Sequence, residues 1–270
     1  MDETMAPWVP CKNRTYAPVG SKQIKILGSG DKRSNTVTLT VSKDGVLLPI
    51  QTIWEGLTTA SLPKYDFPEE FLTCFTEEVF VDDPGRRRKK RGSKWQSPQT
   101  MKEYLRYLIL PYLTVRREMI VQNSETEQYE RGDQALLIMD HHYSHYTDDV
   151  VSLCHELGID VALIPKRATD LFSVLDVSIN HPFKEKMREH FANYCTELIE
   201  EQIRNGVAEQ NVQLDTKTKL MKPKAAQWMT LAYFDLKAKE KELICFGWDK
   251  IRRNVDDSVA LDVDIDLEVE

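Results

Sequence analysis

Residues 135–140 (ALLIMD) decide the fold class, because five apolar residues follow one another and end on an aspartate. A run this short and this apolar is typical of a strand buried on both faces, as in a parallel sheet. Thr147 then opens an amphipathic helix that Gly158 closes, and residues 159–164 (IDVALI) form a second apolar run. The segment therefore predicts a strand–helix–strand unit. Asp140 lies at the carboxyl end of its first strand, where ligand sites of open α/β sheets lie.

Upstream of this unit the sequence predicts an antiparallel pair of strands. Residues 35–41 (NTVTLTV) alternate strictly between apolar and threonine positions, which is typical of a half-buried strand. Asp44 and Gly45 form a turn signal, and residues 46–54 (VLLPIQTIW) are predicted to return as the next strand. Residues 16–27 are predicted to add a further short strand.

Helices are predicted at four further places: from Ser97-Pro98, from Phe183, around Trp228 and over residues 244–253. This order of strands and helices predicts an α/β fold, a mixed sheet flanked by helices. One domain is expected over residues 1–255, with loop insertions near residues 57–97 and 116–133. Residues 256–270 form a tail with seven acids and no base, and their charge density favours disorder until a partner protein binds.

The overall composition leaves a nucleic-acid partner open. The 270-residue chain has a net charge of −7, to which the acidic tail contributes heavily, whereas Arg86–Arg91 (RRRKKR) is an unbroken basic run. That run is compatible with a nuclear-localisation signal, a DNA-contacting insertion or an ordinary solvated loop. No stretch approaches the roughly 18 apolar residues of a membrane span and no signal-peptide core is present, so an intracellular protein is expected. The five cysteines show no metal-ligand spacing.

Three aspartates are candidates for a site, although each has an ordinary structural interpretation when taken alone. Asp140 can serve as a turn residue at a strand end, Asp176 can cap a helix, and Asp2 can be a surface residue near the chain start. Paired or clustered carboxylates, in contrast, are the oxygen ligands that Mg²⁺ prefers. Local sequence alone favours the structural roles.

His141, His142 and His145 follow the first buried strand and offer imidazole ligands for a transition metal. The sequence shows no distant partner for them, which favours ordinary loop histidines. His145 is expected to help order the strand end.

The chain also carries five phrases in a fixed order: the opening DET, TYAPVGSKQIKI, NTVTLTVSKDGVLLPIQTIWEG, LLIMDHHYSH and LIPKRATDLFSVLDVSINHPFK. Together they resemble the pogo/Tigger branch of the DDE superfamily transposases. In that family the acids lie in an N-M-D-E-T-like phrase, an L-D-N-x-x-x-H phrase and an L-P-P-N-T-T…Q-P-L-D phrase. The resemblance assigns Asp2, Asp140 and Asp176 as catalytic and metal-binding residues, and His145 matches the histidine of the second phrase.

The resemblance implies a ribonuclease-H-like fold, DNA as the partner, and two Mg²⁺ or Mn²⁺ ions at the three acids. It is also compatible with a nuclear location and a homodimer, and His145 and Lys184 are expected to contact nucleic acid. Lys184, Lys186 and Arg188 follow the third acid and fit an ordinary solvated helix face equally well.

In a ribonuclease-H-like fold the first acid lies on the central strand. Because only Met1 precedes Asp2, that strand is expected to be largely missing, and Asp2 is expected to be held less firmly than Asp140 and Asp176.

The chain departs from the family phrases at three places: His141 replaces an asparagine, Lys166–Thr169 (KRAT) replaces Pro-Asn-Thr-Thr, and Ser173-Val174 replaces Gln-Pro. None of these changes removes an acid of the triad. Three functions therefore remain open: metal-dependent DNA cleavage and strand transfer, DNA binding without cleavage, and an inactive relic of a transposable element.

Overall fold

A computed structural model of the chain describes residues 1–11, 19, 30–75, 93–122 and 134–265. Side chains at residues 119–122 and 256–265 lie outside this description. The predicted strand over residues 16–27 lies outside the described residues apart from Val19, and so does the basic run Arg86–Arg91. Among the described residues, no helix is long and apolar enough to cross a membrane.

The larger sheet has four strands in chain order, β1 (Asp2–Pro7), β2 (Ser34–Leu39), β3 (Gln51–Trp54) and β4 (Leu72–Phe75). Its first two pairings are antiparallel and the third is parallel, so the sheet is mixed, as predicted. The β2–β3 pair confirms the predicted antiparallel strands, although β3 is shorter than its predicted range.

Both faces of β2 are buried, which corrects the prediction of a half-buried strand. Val37 and Leu39 lie in one hydrophobic core. On the opposite face, Thr38 Oγ1 lies within hydrogen-bond distance of Gln51 and Gln96, so the threonine face meets buried amides instead of water. The alternation of the sequence fixes the two faces correctly, but it does not reveal that a helical layer covers the polar one.

The second sheet consists of β5 (Ala135–Met139) and β6 (Ile159–Leu163), which pair in parallel through the crossover helix α3 (Asp148–Glu156). This confirms the predicted strand–helix–strand unit but not the predicted burial on both faces, because Leu136 of β5 is 63% exposed and most of β6 is only partly buried. Thr147 occupies the N-cap position of α3, without a capping hydrogen bond from its side chain. Gly158 closes the crossover with φ of 65°, a left-handed conformation that glycine adopts without strain.

The two sheets meet where the chain begins. The Met1 amine donates a hydrogen bond to the carbonyl oxygen of Ile138 in β5, at 2.8 Å. All six residues of β1 pair with β2, so a six-residue first strand is present where the sequence predicted that most of it would be missing. No described backbone ladder joins β1 to β5 beyond this contact.

Helices cover both faces of the sheets. On one side lie α1 (Pro98–Tyr104), a π-helical turn (Leu105–Ile109), α2 (Leu110–Gln122) and α3. Ser97 and Thr100 form a capping box at the predicted start of α1. Because α2 continues to Gln122, it enters the predicted loop 116–133; residues 123–133 lie outside the described residues.

The other side carries five helices: α4 (Thr169–Phe172), α5 (Val174–Ser178), α6 (Asn180–Arg204), α7 (Thr218–Lys237) and α8 (Glu240–Ile265). Phe183 and Met187 of α6 and Met229 of α7 pack in the same core as Val37 and Leu39. The α8 helix continues through residues 256–265, where the sequence predicted a disordered tail. Extending an existing helix costs far less than starting one, and the packed first half of α8 provides that start.

Candidate active site

Asp2 and Asp176 are joined through one nitrogen atom. Asp2 is the first residue of β1 and is buried, with 7% of its surface exposed. Asn180 Nδ2 donates a hydrogen bond to Asp2 Oδ2 at 2.7 Å and another to Asp176 Oδ1 at 2.8 Å. Asp176 and Asn180 are four residues apart, across the junction of α5 and α6, so they lie on the same side of this helical segment. The two carboxylates therefore face each other across a single amide group.

Asp140 reaches the same region from the end of β5. The hydrogen bond from the Met1 amine to Ile138 holds the start of β1 beside this strand end. Burial lowers the pKa of the Met1 amine to about 6, while the charges of Asp2 and Asp140 act in the opposite direction. The structure thus brings Asp2, Asp140 and Asp176, predicted from three distant phrases, into one electrostatic cluster.

The charge of this cluster is poorly compensated at Asp2. Burial raises the pKa of Asp2 to about 7, and the negative charges of Asp176 and Asp140 raise it further, although the hydrogen bond from Asn180 acts in the opposite direction. The prediction that Asp2 is held less firmly than the other acids is wrong, because Asp176 is exposed and the Asp140 side chain is 30% exposed. Pairing of β1 with β2 and the contact to Asn180 hold Asp2 in the interior.

Asp140 has a different partner, the imidazole of His145. His145 ends the 3₁₀ turn Tyr143–His145 and has no exposed surface. Its Nδ1 lies 2.8 Å from Asp140 Oδ1, and its Nε2 lies 2.9 Å from Glu3 Oε1. The ring therefore bridges the end of β5 and the second residue of β1.

This bridge shifts the pKa values of both residues. Burial alone would lower the pKa of His145, but its contacts with Asp140 and Glu3 raise the pKa to about 9. Burial alone would raise the pKa of Asp140, but the hydrogen bond and charge of His145 hold it below its ordinary value. His145 is predicted from the sequence to contact nucleic acid. In the structure its ring has no exposed surface and lies between Asp140 and Glu3, at the strand end that it was also expected to order, and the nucleic-acid contact stays a prediction.

Glu3 and Asn180 are the functional residues that sequence reasoning missed. Consecutive residues of a strand point to opposite faces, so Asp2 faces Asn180 while Glu3 faces His145. The available signals were an acid directly beside Asp2 and an asparagine one helical turn after Asp176. Neither signal identifies its partner. The contacts of Glu3 with His145 and of Asn180 with Asp2 each span more than a hundred residues of sequence, and the contact of Asn180 with Asp176 crosses a helix junction.

Lys184 lies one helical turn beyond Asn180 and therefore on the same side of α6. It is partly exposed and forms no ion pair with another residue that the structure describes. Lys186 and Arg188, in contrast, pair with Glu189 and Glu185 within the helix.

The donor set fits hard divalent cations. Mg²⁺ is bound through carboxylate oxygens together with water, and the cluster supplies three carboxylates from β1, β5 and α5. The raised pKa of Asp2 is the signature of buried negative charge that a cation would neutralise. Asn180 Oδ1 is also buried without a hydrogen-bond partner in the described structure. These residues fit one or more Mg²⁺ or Mn²⁺ ions.

Comparison with known proteins identifies the family. The family of DDE superfamily endonucleases matches residues 80–243, which is more than half of the chain. The matched range includes Asp140, His145, Asp176 and Asn180 and begins after the larger sheet. No curated protein and no solved structure gives a match. Asp140 and Asp176 both lie in the matched range, and the structure gathers them with Asp2. The chain belongs to the DDE superfamily endonucleases.

Proposed function

We propose that this chain is a transposase-derived nuclease of the pogo/Tigger branch that cuts and joins DNA with two Mg²⁺ or Mn²⁺ ions. The observation that carries the proposal is the shared amide of Asn180, which holds Asp2 and Asp176 together in the electrostatic field of Asp140. Converging aspartates repel one another in the absence of cations, and a fold that forces them together is suited to binding cations.

Each residue has a separate task in this proposal. Asp2, Asp140 and Asp176 hold the ions, which supply an activated water and stabilise charge on the leaving 3′ oxygen when bound. Asn180 fixes the separation of Asp2 from Asp176, and His145 fixes the orientation of the Asp140 carboxylate. Strand transfer uses the same site with a DNA 3′-hydroxyl as the nucleophile. Lys184, one helical turn beyond Asn180, is proposed to contact a DNA phosphate.

The family resemblance extends the proposal to the setting of the reaction. DNA is the substrate, a nuclear location follows for a protein that acts on chromosomes, and Arg86–Arg91 is compatible with import. A homodimer would supply two sites for the two ends of an element. The acidic tail over residues 256–270 is proposed to bind a further protein.

A second candidate function is DNA binding without cleavage. His141 stands where the family carries asparagine after the second acid, and Lys166–Thr169 replaces a polar phrase before the third acid. These departures lie directly beside Asp140 and upstream of Asp176, so they favour a chain that keeps the fold and has altered chemistry.

Nicking of supercoiled plasmid DNA tests the first candidate. Wild type is compared in Mg²⁺, in Mn²⁺ and in EDTA with Asp140→Asn and with Asp160→Asn, a matched control because Asp160 is an exposed aspartate of β6 outside the cluster. Nicking that needs metal, that persists in Asp160→Asn and that is lost in Asp140→Asn supports cleavage. Absence of nicking, combined with DNA binding in EDTA that weakens steeply with salt, supports the second candidate.

A further inference from the structure

Beside the carboxylate cluster lies a group of residues with different ligand chemistry, made of Glu3, His142 and His145. One ligand atom from each residue lies within 4.8 Å of those of the other two. Glu3 and His142 are partly exposed, whereas His145 is fully buried, so the group has a closed side and an open side. Glu3 is the distant partner that the sequence did not reveal for the loop histidines.

Both imidazoles are oriented from outside the group. His145 Nδ1 faces the Asp140 carboxylate at 2.8 Å, which directs its Nε2 towards Glu3. His142 Nδ1 lies 2.7 Å from Ser144 Oγ, which fixes the orientation of the second ring. Histidines that ligate metals almost always donate their other ring N–H to a carboxylate, carbonyl or water, and this outer partner fixes the tautomer. Asp140 occupies that position relative to His145.

We propose that Glu3, His142 and His145 bind a transition-metal ion of the Zn²⁺ type, separate from the hard cations of the aspartate cluster. Two imidazole nitrogens and one carboxylate oxygen are a donor set that suits Zn²⁺, whereas Mg²⁺ takes oxygen ligands. Three protein ligands leave a fourth tetrahedral position for water or for another ligand.

Only small side-chain shifts are needed to close the group around an ion. Ligand atoms about 2.1 Å from a tetrahedral Zn²⁺ lie roughly 3.4 Å from one another. The contact between His145 Nε2 and Glu3 Oε1, at 2.9 Å, is shorter than this separation, so the two atoms would move apart by about 0.5 Å to admit the ion. An ion bound at His145 Nε2 would leave the contact between Nδ1 and Asp140 in place.

The inference is independent of DNA cleavage, because it concerns the binding of Zn²⁺ and not a reaction. Glu3 lies on the face of β1 opposite Asp2, and the two histidines meet it there. Asp140 would then contribute to two neighbouring metal sites. It is a ligand in the aspartate cluster, and it orients His145 in the group of Glu3, His142 and His145. An ion at Glu3, His142 and His145 would therefore hold the Asp140 carboxylate through the same imidazole that holds it in the structure.

The test is titration of the full chain with Zn²⁺ in excess Mg²⁺, with bound metal measured by competition against a chromogenic chelator. Excess Mg²⁺ keeps the aspartate cluster occupied. We expect one Zn²⁺ per chain, with affinity reduced at least about tenfold in Glu3→Gln and in His142→Ala. His141→Ala, which removes a neighbouring histidine outside the group, and Asp176→Asn should bind as wild type does.

Two measurements guard the result. Far-UV circular dichroism identifies a variant that fails to fold. At equal Zn²⁺ concentration, the Zn²⁺-induced rise in melting temperature should be the same in wild type and His141→Ala and smaller in His142→Ala. Co²⁺ bound in place of Zn²⁺ should give visible bands of tetrahedral N/O coordination without a thiolate charge-transfer band. The proposal is overturned if wild type binds no Zn²⁺ at micromolar concentration, if His142→Ala and Glu3→Gln bind as tightly as wild type, or if a thiolate band appears.

Discussion

Asp2 and Asp140 belong to the same carboxylate cluster, yet their surroundings move their pKa values in opposite directions. Asp2 is buried beside an amide and two other acids, and its pKa rises to about 7. Asp140 is more exposed and faces His145, and its pKa lies below the ordinary value. The fold thus gives Asp140 an imidazole partner, whereas the nearest cationic group of Asp2, the Met1 amine, has the smallest influence on its pKa.

This difference indicates that Asp2 is the acid that most needs a cation. His145 already balances the charge of Asp140 in the folded chain, whereas Asp2 keeps its proton more tightly until another positive charge arrives. A divalent ion can balance the charge of Asp2, as the imidazole of His145 balances the charge of Asp140. The metal-free cluster is therefore asymmetric, and metal binding should remove most of that asymmetry.

The largest expected effect is on the rate of DNA cleavage when Asp140, the acid that contacts His145, is replaced. Asp140→Ala removes an ion ligand and one of the two acidic partners of His145, which keeps its contact with Glu3. The loss of stability should therefore not exceed that of His145→Ala, while metal-dependent DNA cleavage falls at least about a hundredfold, the size of losing one preorganised electrostatic contact. Plasmid nicking rates measure this, with Asp160→Asn as the control. Full metal-dependent activity in Asp140→Ala would refute its assignment.

A second effect concerns the cationic partner itself. His145→Ala leaves Glu3 and Asp140 facing each other without the ring between them, and breaking a buried charged pair costs roughly 3 kcal/mol or more. Since Asp140 is partly exposed, we expect about 2–3 kcal/mol in the free energy of unfolding, measured by urea denaturation. His155→Ala, at an exposed position of α3, should change it by less than about 0.5 kcal/mol. Equal effects of the two variants would contradict the positioning role.

The raised pKa of Asp2 predicts how stability depends on pH. A raised carboxyl pKa means that the folded state binds the proton more tightly than the unfolded state. Metal-free protein should therefore gain stability as pH falls from about 7 towards 4, by at most about 1.4 kcal/mol per pH unit.

Other shifted groups near the cluster act in different pH windows. The lowered pKa of the Met1 amine favours folding above about pH 6 to 8, and the raised pKa of His145 favours folding below about pH 6.5 to 9. The lowered pKa of Asp140 acts below about pH 4, so among these four groups the interval from pH 4 to 6 belongs to Asp2. Unfolding measured across that interval in Asp2→Asn should lack the gain. A wild-type slope that is unchanged in Asp2→Asn would show that Asp2 is not the group responsible.

Much of the fold was readable from the sequence, and the reasons are local. The apolar run of β5, the glycine at 158 and the capping signal at Ser97-Pro98 each specify a single element through its own side chains. The three aspartates came from resemblance to family phrases, since their local context favoured capping and surface roles. Their gathering in space agrees with that resemblance.

The missed contacts share one physical cause. Glu3 meets His145 and Asn180 meets Asp2 only after distant segments pack, and no periodicity encodes such pairs. The covered threonine face of β2 escaped prediction for the same reason, because a strand's pattern defines its faces but not what packs on them. The length of β1 was underestimated because the prediction counted only the residues before Asp2, whereas the strand runs forward from Asp2 to Pro7 and pairs with β2.

The smallest predicted effect tests the junction between the two sheets. A cavity of about 310 Å³ lies between Thr40–Lys43 and Ala135–Ile138, beside Met1. In the antiparallel register Asp2 is opposite Leu39, so residues added before Met1 would run along Val41 on one side and along β5 on the other. Leu136 in β5 is 63% exposed at this edge. An added strand there would pair both edges and cover apolar surface.

We therefore expect that a Thr-Val-Thr-Val extension before Met1 raises the melting temperature above that of a Gly-Ser-Gly-Ser extension. Both extensions convert the buried Met1 amine into an amide, so the comparison cancels the removal of that charge. The difference comes from burial of two valines and from strand pairing, about 2 kcal/mol or a few degrees, because part of the edge stays open to water. Thermal unfolding by circular dichroism measures it. Equal melting temperatures for the two extensions would show that the cavity does not accept a strand and that the single bond from Met1 to Ile138 is all the pairing this junction supports.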